Sequence, residues 1–333
     1  MRKALCLLLA VTLLVAVGGC GIMDWIFPED KDKDPDEQNH EHPGPQEEGT
    51  AVRGRTLYVA DMHGRWCLPV TYDVPWEEGI AKAVLRHLVE GGPAQQFLET
   101  KGLKAPIPAG TVILGMSIKD GACIVDFSSE LLQTADAVHE QLILDAVTYT
   151  LTEFATIDTV SIRVNGKALT KMPHGTPVDP VLSRARGINV AASPKGTGAA
   201  VTVYMRMDSL AGGTLLVPVT RPVSMAVEPA RAALEQLIGG PDPGAGLKPV
   251  LPASVRVEGL TLEGNTAAVD FSPELAGLDD LDVVVAAVVL SLTELPGIER
   301  VRLTAGGRAL ELPDGSILAE PVVRPASANP LVF

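Results

Sequence analysis

One stretch decides the fold of this chain: Gly121-Ala122-Cys123-Ile124-Val125-Asp126-Phe127-Ser128-Ser129-Glu130-Leu131, which recurs as Gly264-Asn265-Thr266-Ala267-Ala268-Val269-Asp270-Phe271-Ser272-Pro273-Glu274-Leu275. The two Asp-Phe-Ser centres lie 144 residues apart. Three further segments recur in the same order at spacings that drift from 149 to 141 residues: Leu68-Pro69-Val70-Thr71 with Val217-Pro218-Val219-Thr220, Gly91-Gly92-Pro93 with Gly239-Gly240-Pro241, and Leu151-Thr152-Glu153 with Leu292-Thr293-Glu294. Because the spacing changes between the segments, the differences fall in loops. The sequence therefore predicts two folded copies of one module.

The N-terminus has the pattern of a secretion signal. Arg2 and Lys3 precede an apolar run of 14 residues, Ala4 to Val17, which is too short to cross a hydrocarbon core of about 30 Å as a helix. The run ends at Val17-Gly18-Gly19-Cys20, which resembles a bacterial lipobox. We therefore predict a signal peptide over 1–19 and lipidation of Cys20, where acyl chains such as palmitate anchor the protein. The alternative is an ordinary secretory signal followed by an accidental cysteine.

The segment after the signal is strongly acidic. From Glu29 to Glu48 there are nine acids against two lysines, a net charge of −7 that is half of the chain's formal −14. A segment so charged and so poor in apolar residues cannot bury enough surface to offset its ordering entropy. Residues 20–54 are therefore expected to form a tether. His40 and His42 lie within it, but two histidines lack the ligand count of a metal site, so we expect neither a metal nor a cofactor.

The remaining length suits two domains of ordinary size. We predict a first domain over 55–185, a linker over 186–199, a second domain over 200–325 and a tail over 326–333. The acidic balance, without a Lys/Arg cluster, argues against nucleic acid as a partner. Beyond the lipobox only Cys67 and Cys123 remain, and a disulfide between them or two buried free thiols are both open.

Each copy carries the periodicity of two helices. The later helix has mostly apolar residues at i, i+3, i+4, i+7, i+8 and i+11, which is one helical face: Ile143, Ala146, Val147, Thr150, Leu151 and Phe154, repeated as Val284, Ala287, Val288, Ser291, Leu292 and Leu295. The earlier helix contains Leu85, Leu88 and Val89, repeated as Leu234, Leu237 and Ile238, and is predicted to end at the Gly-Gly-Pro of its copy. His87 and His139 are expected on the solvent faces of these helices.

Between the helices, the alternation of apolar and polar residues slips by one position at Gly115 and at Gly259. A glycine at such a slip is typical of a β-bulge. Tight turns at Lys119-Asp120-Gly121 and Glu263-Gly264-Asn265 then lead into the Asp-Phe-Ser strands, and later hairpins turn at Asn165-Gly166 and Gly306-Gly307. Each copy is predicted as β-β-α-β-β-α-β-β, an α+β module with a small, mainly antiparallel sheet and two helices packed on one face.

This combination resembles the GerMN domain family, which occurs as tandem copies in sporulation lipoproteins of endospore-forming bacteria. Both copies carry the family's Asp-Phe-Ser strand end and its Leu-Thr-Glu helix end. The second copy continues with the family's Pro296-Gly297-Ile298, whereas the first departs with Ala155-Thr156-Ile157. The resemblance covers nearly all of the chain after the tether.

The resemblance implies a fold like the ring-building motifs of secretion systems, and a sporulation or germination role without established catalytic residues. It further implies an assembly module on the outer face of the cell membrane, held there by lipid on Cys20 and located in the intermembrane space during sporulation. The implied partners are proteins of the envelope or channel complex between mother cell and forespore.

Six carboxylates, three in each copy, suggest an alternative function as an enzyme that uses acid/base catalysis on cell-wall glycan. They are Asp126, Glu130, Glu153, Asp270, Glu274 and Glu294. A fold role is favoured, because Asp126 sits where a strand ends and Ser128 or Ser129 can cap the following turn, so that short polar side chains there satisfy free backbone N–H groups. The sequence also lacks the hydrolase elbow, the zinc-protease motif and the phosphate loop.

We therefore predict a non-enzymatic assembly lipoprotein. The alternative function is a peptidoglycan-binding or wall-remodelling accessory protein, for which Trp66 and Trp76 are the only candidate glycan platforms.

Overall fold

The computed structural model describes residues 52–190, 198–325 and 329, and these belong to one compact unit. The predicted signal peptide, Cys20, nearly all of the tether, residues 191–197 of the linker and most of the tail lie outside the described residues. Among the residues that are described, no helix combines the length and the apolar character that a membrane crossing needs.

The first copy follows the predicted element order with a few short additions. Its strands are β1 (Val52–Asp61), β2 (Cys67–Pro75), β3 (Leu103–Lys104), β4 (Ile113–Lys119), β5 (Ala122–Phe127), β6 (Thr159–Val164) and β7 (Lys167–Ala168). Its helices are α1 (Ile80–Arg86), α2 (Gln95–Thr100) and α3 (Ala137–Leu151), with 3-10 turns at Ser129–Leu132 and Arg184–Arg186.

The second copy repeats this plan. Its strands are β8 (Ala199–Asp208), β9 (Thr214–Val223), β10 (Val257–Glu263), β11 (Thr266–Phe271), β12 (Arg300–Ala305), β13 (Arg308–Glu311), β14 (Ile317–Leu318) and β15 (Val322–Val323). Its helices are α4 (Pro229–Gly239) and α5 (Leu281–Leu292), with a 3-10 turn at Pro273–Gly277.

The strands of each copy divide between two sheets. In the first copy, β2-β1-β3 form one sheet and β4-β5-β6-β7 form the other; in the second, β8-β9 form a hairpin and β10 to β15 form the larger sheet. The pairs β5–β6 and β11–β12 are parallel, because α3 and α5 carry the chain back across the sheet between them. The other pairs of named strands are antiparallel.

The later helix of each copy is buried on more than one side. α3 packs against β1 of the hairpin and β6 of the larger sheet, and α5 packs against β8 and β12. Every residue of α3 from Leu142 to Leu151 is buried. The predicted apolar stripe is therefore part of a wider buried surface, since the helix lies between two sheets.

Both predicted bulges are confirmed. In β4 the register passes from Ile113 opposite Phe127 to Gly115 opposite Asp126, and Val257 and Gly259 shift in the same way in β10. Neither bulge depends on a glycine-specific backbone, because neither glycine has a left-handed φ. A Cβ on Gly115 would meet nothing within 4 Å. The bulge comes from the one extra residue in the strand.

Three local expectations differ from the structure. In the first copy α1 ends at Arg86, before Gly91, whereas α4 ends at Gly239 as predicted. His87 is buried, not on a solvent face: its Nδ1 donates to the Ala83 carbonyl at 2.9 Å, and burial lowers its pKa. His139 is half-buried, with Nε2 at 2.8 Å from a backbone carbonyl oxygen.

Of the two options for the cysteines, the structure has the free thiols. Cys67 and Cys123 are both unpaired and buried. Burial raises the pKa of the Cys123 thiol to about 11, and it also raises the pKa of Cys67. Both thiols therefore stay protonated and unreactive at neutral pH.

Candidate functional site

The aspartate of each Asp-Phe-Ser segment closes a neighbouring hairpin. Asp126 Oδ1 accepts a hydrogen bond from the Gly166 backbone N–H at 2.9 Å, and Asp270 Oδ1 accepts one from Gly307 N–H at 2.9 Å. Those glycines sit in two-residue turns with positive φ, 78° and 72°. The aspartates thus join the end of β5 or β11 to the turn after the parallel strand.

The serine of each segment forms hydrogen bonds with the backbone of the residue just before the bulged strand. Ser128 Oγ accepts from Val112 N–H at 2.9 Å while its own N–H donates to the Val112 carbonyl at 2.9 Å. Ser272 makes the same two contacts with Arg256, at 3.1 and 2.9 Å. Both serines are buried. These short polar side chains satisfy backbone N–H groups as predicted, but the predicted cap is wrong for Ser128, whose side chain makes no capping hydrogen bond to the 3-10 turn that follows.

Two of the six carboxylates lie on the 3-10 turns that follow, where Glu130 is half-buried and Glu274 is exposed. Hydrogen bonds from the Ser128 and Ser272 hydroxyls lower the pKa of these carboxyls. A lowered pKa keeps a carboxyl ionised at neutral pH, the opposite of what a general acid requires.

Glu153 lies at the end of α3 inside a cluster of polar and aromatic side chains. It accepts a hydrogen bond from the Tyr58 hydroxyl at 3.2 Å and forms an ion pair with Arg184. The guanidinium also donates to Thr152 Oγ1 at 3.0 Å and lies 4.8 Å from the centre of the Tyr149 ring. The Leu-Thr-Glu motif therefore supplies two of the groups that hold one arginine.

The same cluster recurs at the end of α5. Tyr204 donates its hydroxyl proton to Glu294 Oε1 at 2.9 Å, and Arg324 pairs with that carboxylate. Arg324 also donates to Thr293 Oγ1 at 3.1 Å. In both copies the tyrosine N–H donates at 2.9 Å to a hydroxyl of the helix, Thr150 or Ser291. We call these the Tyr–Glu–Arg clusters.

The two Tyr–Glu–Arg clusters influence each other electrostatically. Burial raises the pKa of Tyr58, the other copy's Tyr204 raises it further, and Arg184 opposes the effect. Burial likewise raises the pKa of Tyr204, and Glu294 adds to the rise. The tyrosines stay neutral donors, and both glutamates are occupied by two partners each. Neither carboxylate is a free base.

The tyrosines and arginines of these clusters were missed from the sequence. A signal for them exists: Tyr58 and Tyr204 are 146 residues apart, within the drift of the repeat, and both arginines follow a Pro-Val pair, at 180–181 and 321–322. Matching the copies beyond the helix would have found them.

A groove of about 640 Å³ lies between the copies. Its walls include Val138 and Leu142 of α3 together with Asp242 and Ala245 of the second copy. Trp66 also lines it, and its indole Nε1 donates to the Ala245 carbonyl at 3.1 Å. Across the described ranges, no group of three or more His, Cys, Asp or Glu side chains could hold a metal ion.

Comparison with known proteins identifies the module. The sequence profile of the family Germane, "Sporulation and spore germination", matches residues 56–170 and 202–311. This chain belongs to the Germane family. The two matched segments contain the two copies of the repeat, so both are Germane domains.

GerM of Bacillus subtilis matches most of the chain both in sequence and in structure. The spore germination protein GerM of Bacillus subtilis (strain 168) is 32% identical over 296 residues, which is 85% of this chain and 80% of that protein. A solved structure of the tandem GerMN domains of the sporulation protein GerM from Bacillus subtilis matches with a TM-score of 0.76 at 32% identity, covering 84% of this chain and 99% of that one. The resemblance and the tandem fold are confirmed, and the chain has a role in sporulation or spore germination.

Proposed function

We propose that this chain is a non-enzymatic, lipid-anchored assembly component of the sporulation envelope. The observation that carries the proposal is the duplicated use of the carboxylates: Asp126 and Asp270 hold hairpin turns, and Glu153 and Glu294 hold a tyrosine and an arginine. A catalytic pair needs one carboxyl with a raised pKa and one that is free to act as base or nucleophile. Each of these four carboxylates already holds its partners, so none is free to act as base or nucleophile.

The proposed location follows from the N-terminal sequence and the family. Lipid on Cys20 would hold the protein on the outer face of the cell membrane, in the intermembrane space during sporulation. The proposed partners are proteins of the envelope or channel complex. Nucleic acid is not a proposed partner, because the formal net charge is −14 and phosphate binding depends on clustered cations.

A second candidate is peptidoglycan binding, and one observation favours it. Trp76, on the loop after β2, is 58% exposed, and an exposed indole can stack on a sugar ring. Trp66 is occupied at the junction between the copies, so it does not support this candidate. The corresponding position in the second copy, Met225, is also exposed but has no ring.

The decisive experiment incubates purified chain, without residues 1–20, with peptidoglycan sacculi. We expect no release of soluble fragments from the wild type. Digestion that disappears in Asp126→Asn or Glu153→Gln would overturn the proposal in favour of an enzyme. Cosedimentation with sacculi that is lost in Trp76→Ala, with Met225→Ala as the matched control, would favour the second candidate. Crosslinking in sporulating cells, followed by identification of the captured proteins, tests the assembly role directly.

A further inference from the structure

The hairpins of the two copies meet along β2 and β9, and a buried asparagine joins them. Asn189 follows the last 3-10 turn of the first copy. Its Oδ1 accepts from Cys67 N–H at 2.8 Å, and its Nδ2 donates to the Cys67 carbonyl at 2.6 Å and to the Pro218 carbonyl at 2.7 Å. One side chain therefore completes β2 of its own copy and reaches β9 of the other.

Asn329 makes the equivalent contacts from the second copy: it binds the backbone of β9 in its own copy and reaches β2 of the first. Its Oδ1 accepts from Leu216 N–H at 2.7 Å, and its Nδ2 donates to the Leu216 carbonyl at 2.9 Å and to the Pro69 carbonyl at 2.8 Å. Leu216 and Pro218 stand 149 residues after Cys67 and Pro69. Each asparagine thus contacts the equivalent pair of positions, with the roles of the two copies exchanged.

A second pair of contacts also runs in both directions between the copies. The Trp66 indole N–H donates to the Ala245 carbonyl at 3.1 Å, and the Ser209 hydroxyl donates to the Lys101 carbonyl at 2.8 Å. Lys101 and Ala245 are 144 residues apart and equivalent, whereas the donors are not: Trp66 follows the hairpin turn of the first copy, and Ser209 begins the hairpin turn of the second.

The glycines that follow those carbonyls add a third exchanged pair. A Cβ on Gly102 would lie 3.0 Å from the Cβ of Leu210, and a Cβ on Gly246 would lie 2.8 Å from a guanidinium nitrogen of Arg65. Each backbone therefore approaches the hairpin turn of the other copy closely.

We propose that the two copies bind each other through a two-fold-related interface that holds without the peptide connection between them. An interface in which position i contacts j and j contacts i is isologous, and it is closed once two modules have paired. The partner of the β2 surface is therefore the equivalent surface of the second copy. Contacts with other proteins must use other faces. The inference stands independently of the proposed function.

The test separates the copies covalently and asks whether they remain together. The recognition sequence of a site-specific protease, flanked by short glycine-serine segments, is inserted within residues 191–197 of the purified chain. After cleavage the two fragments are followed by size-exclusion chromatography with light scattering at about 1 µM, where an interface with a Kd well below that stays associated. Elution at the mass of the uncut chain is expected. Separate elution of two folded fragments would overturn the proposal.

Whether the two asparagines contribute equally to the interface is tested with Asn189→Asp and Asn329→Asp in the cleavable chain. Asn189 has φ 48°, and aspartate tolerates that conformation while removing the Nδ2 donor. Each change should weaken association of the fragments about 10-fold or more, by similar factors, because a buried carbonyl loses its donor. Asn265→Asp is the matched control, since Asn265 contacts Glu299 within its own copy. Loss with only one of the two variants would contradict a two-fold-related interface.

Circular dichroism of the uncut variants checks that each copy still folds. Ser209→Ala tests the interface through a different contact, because it removes the donor to the Lys101 carbonyl and leaves β2 and β9 intact. We expect it to weaken association about 3-fold to 10-fold. Unchanged association of the fragments in this variant and in both asparagine variants would contradict the proposal.

Discussion

Glu153 and Glu294 are single residues whose partners decide whether the chain could perform acid/base chemistry. Each carboxylate receives a tyrosine hydroxyl and a guanidinium. Their side chains are 33% and 15% exposed. Water therefore screens the first ion pair more than the second, so equivalent substitutions should have unequal effects.

Replacing Glu153 and Glu294 separately by glutamine tests this difference. We expect Glu153→Gln to reduce the free energy of unfolding by about 0.5–1 kcal/mol and Glu294→Gln by about 1–2 kcal/mol. Urea denaturation of the purified chain measures both. Glu235→Gln, on an exposed position of α4, is the control and should leave stability unchanged. A larger loss for Glu153→Gln would contradict the argument from exposure.

The buried tyrosines predict how stability depends on pH. Burial raises the pKa of Tyr204 above its ordinary value of 10.0, so the folded chain holds the phenol proton more tightly than the unfolded chain does. The stabilisation is complete below pH 10 and is lost as the pH rises above it. Unfolding midpoints measured from pH 8 to 11 should fall beyond pH 10, and less steeply in Tyr204→Phe than in the wild type. An identical slope in the two proteins would contradict the argument from burial.

At the scale of elements, the duplicated sequence predicted a great deal. The phase slips at Gly115 and Gly259 located both bulges, and paired glycine or asparagine residues located the hairpin turns, because these features depend on neighbours in sequence. The parallel pairing of β5 with β6 was not predicted, since alternation indicates which face a residue occupies and not which strand lies beside it. The Tyr–Glu–Arg clusters join residues far apart in sequence, such as Tyr58 and Glu153, and no local pattern reports them.

The bulge glycines and the turn glycines should respond differently to alanine. Gly115 and Gly166 both have open space where an alanine Cβ would lie, but only Gly166 has a positive φ, 78°. We expect Gly166→Ala to cost about 1–2 kcal/mol of stability through backbone strain, and Gly115→Ala to change it by less than about 0.5 kcal/mol. Equal costs in thermal or urea unfolding would show that the bulge does constrain its glycine.

At the scale of the whole molecule, two modules are joined into one unit, and the sequence predicts a lipid anchor ahead of them. The anchoring prediction rests on Val17-Gly18-Gly19-Cys20, which lies outside the described residues. Cys20→Ala should abolish incorporation of a labelled fatty acid and either release the protein from the membrane or leave the precursor uncleaved. Cys6→Ala, within the predicted signal peptide, should leave labelling intact. Persistent labelling of the Cys20 variant would show that the prediction of a lipid anchor on Cys20 is wrong.

The two unpaired cysteines have a use that follows from where they lie. Cys67 begins β2, where Asn189 binds its backbone at the junction of the copies, and Cys123 lies in β5 of the larger sheet. Both are sealed from solvent, so a thiol reagent can reach either one only during a transient opening. The labelling rate of Cys67 under native conditions would therefore report how often the copies separate, and that of Cys123 how often the larger sheet opens. Neither measurement needs an engineered probe.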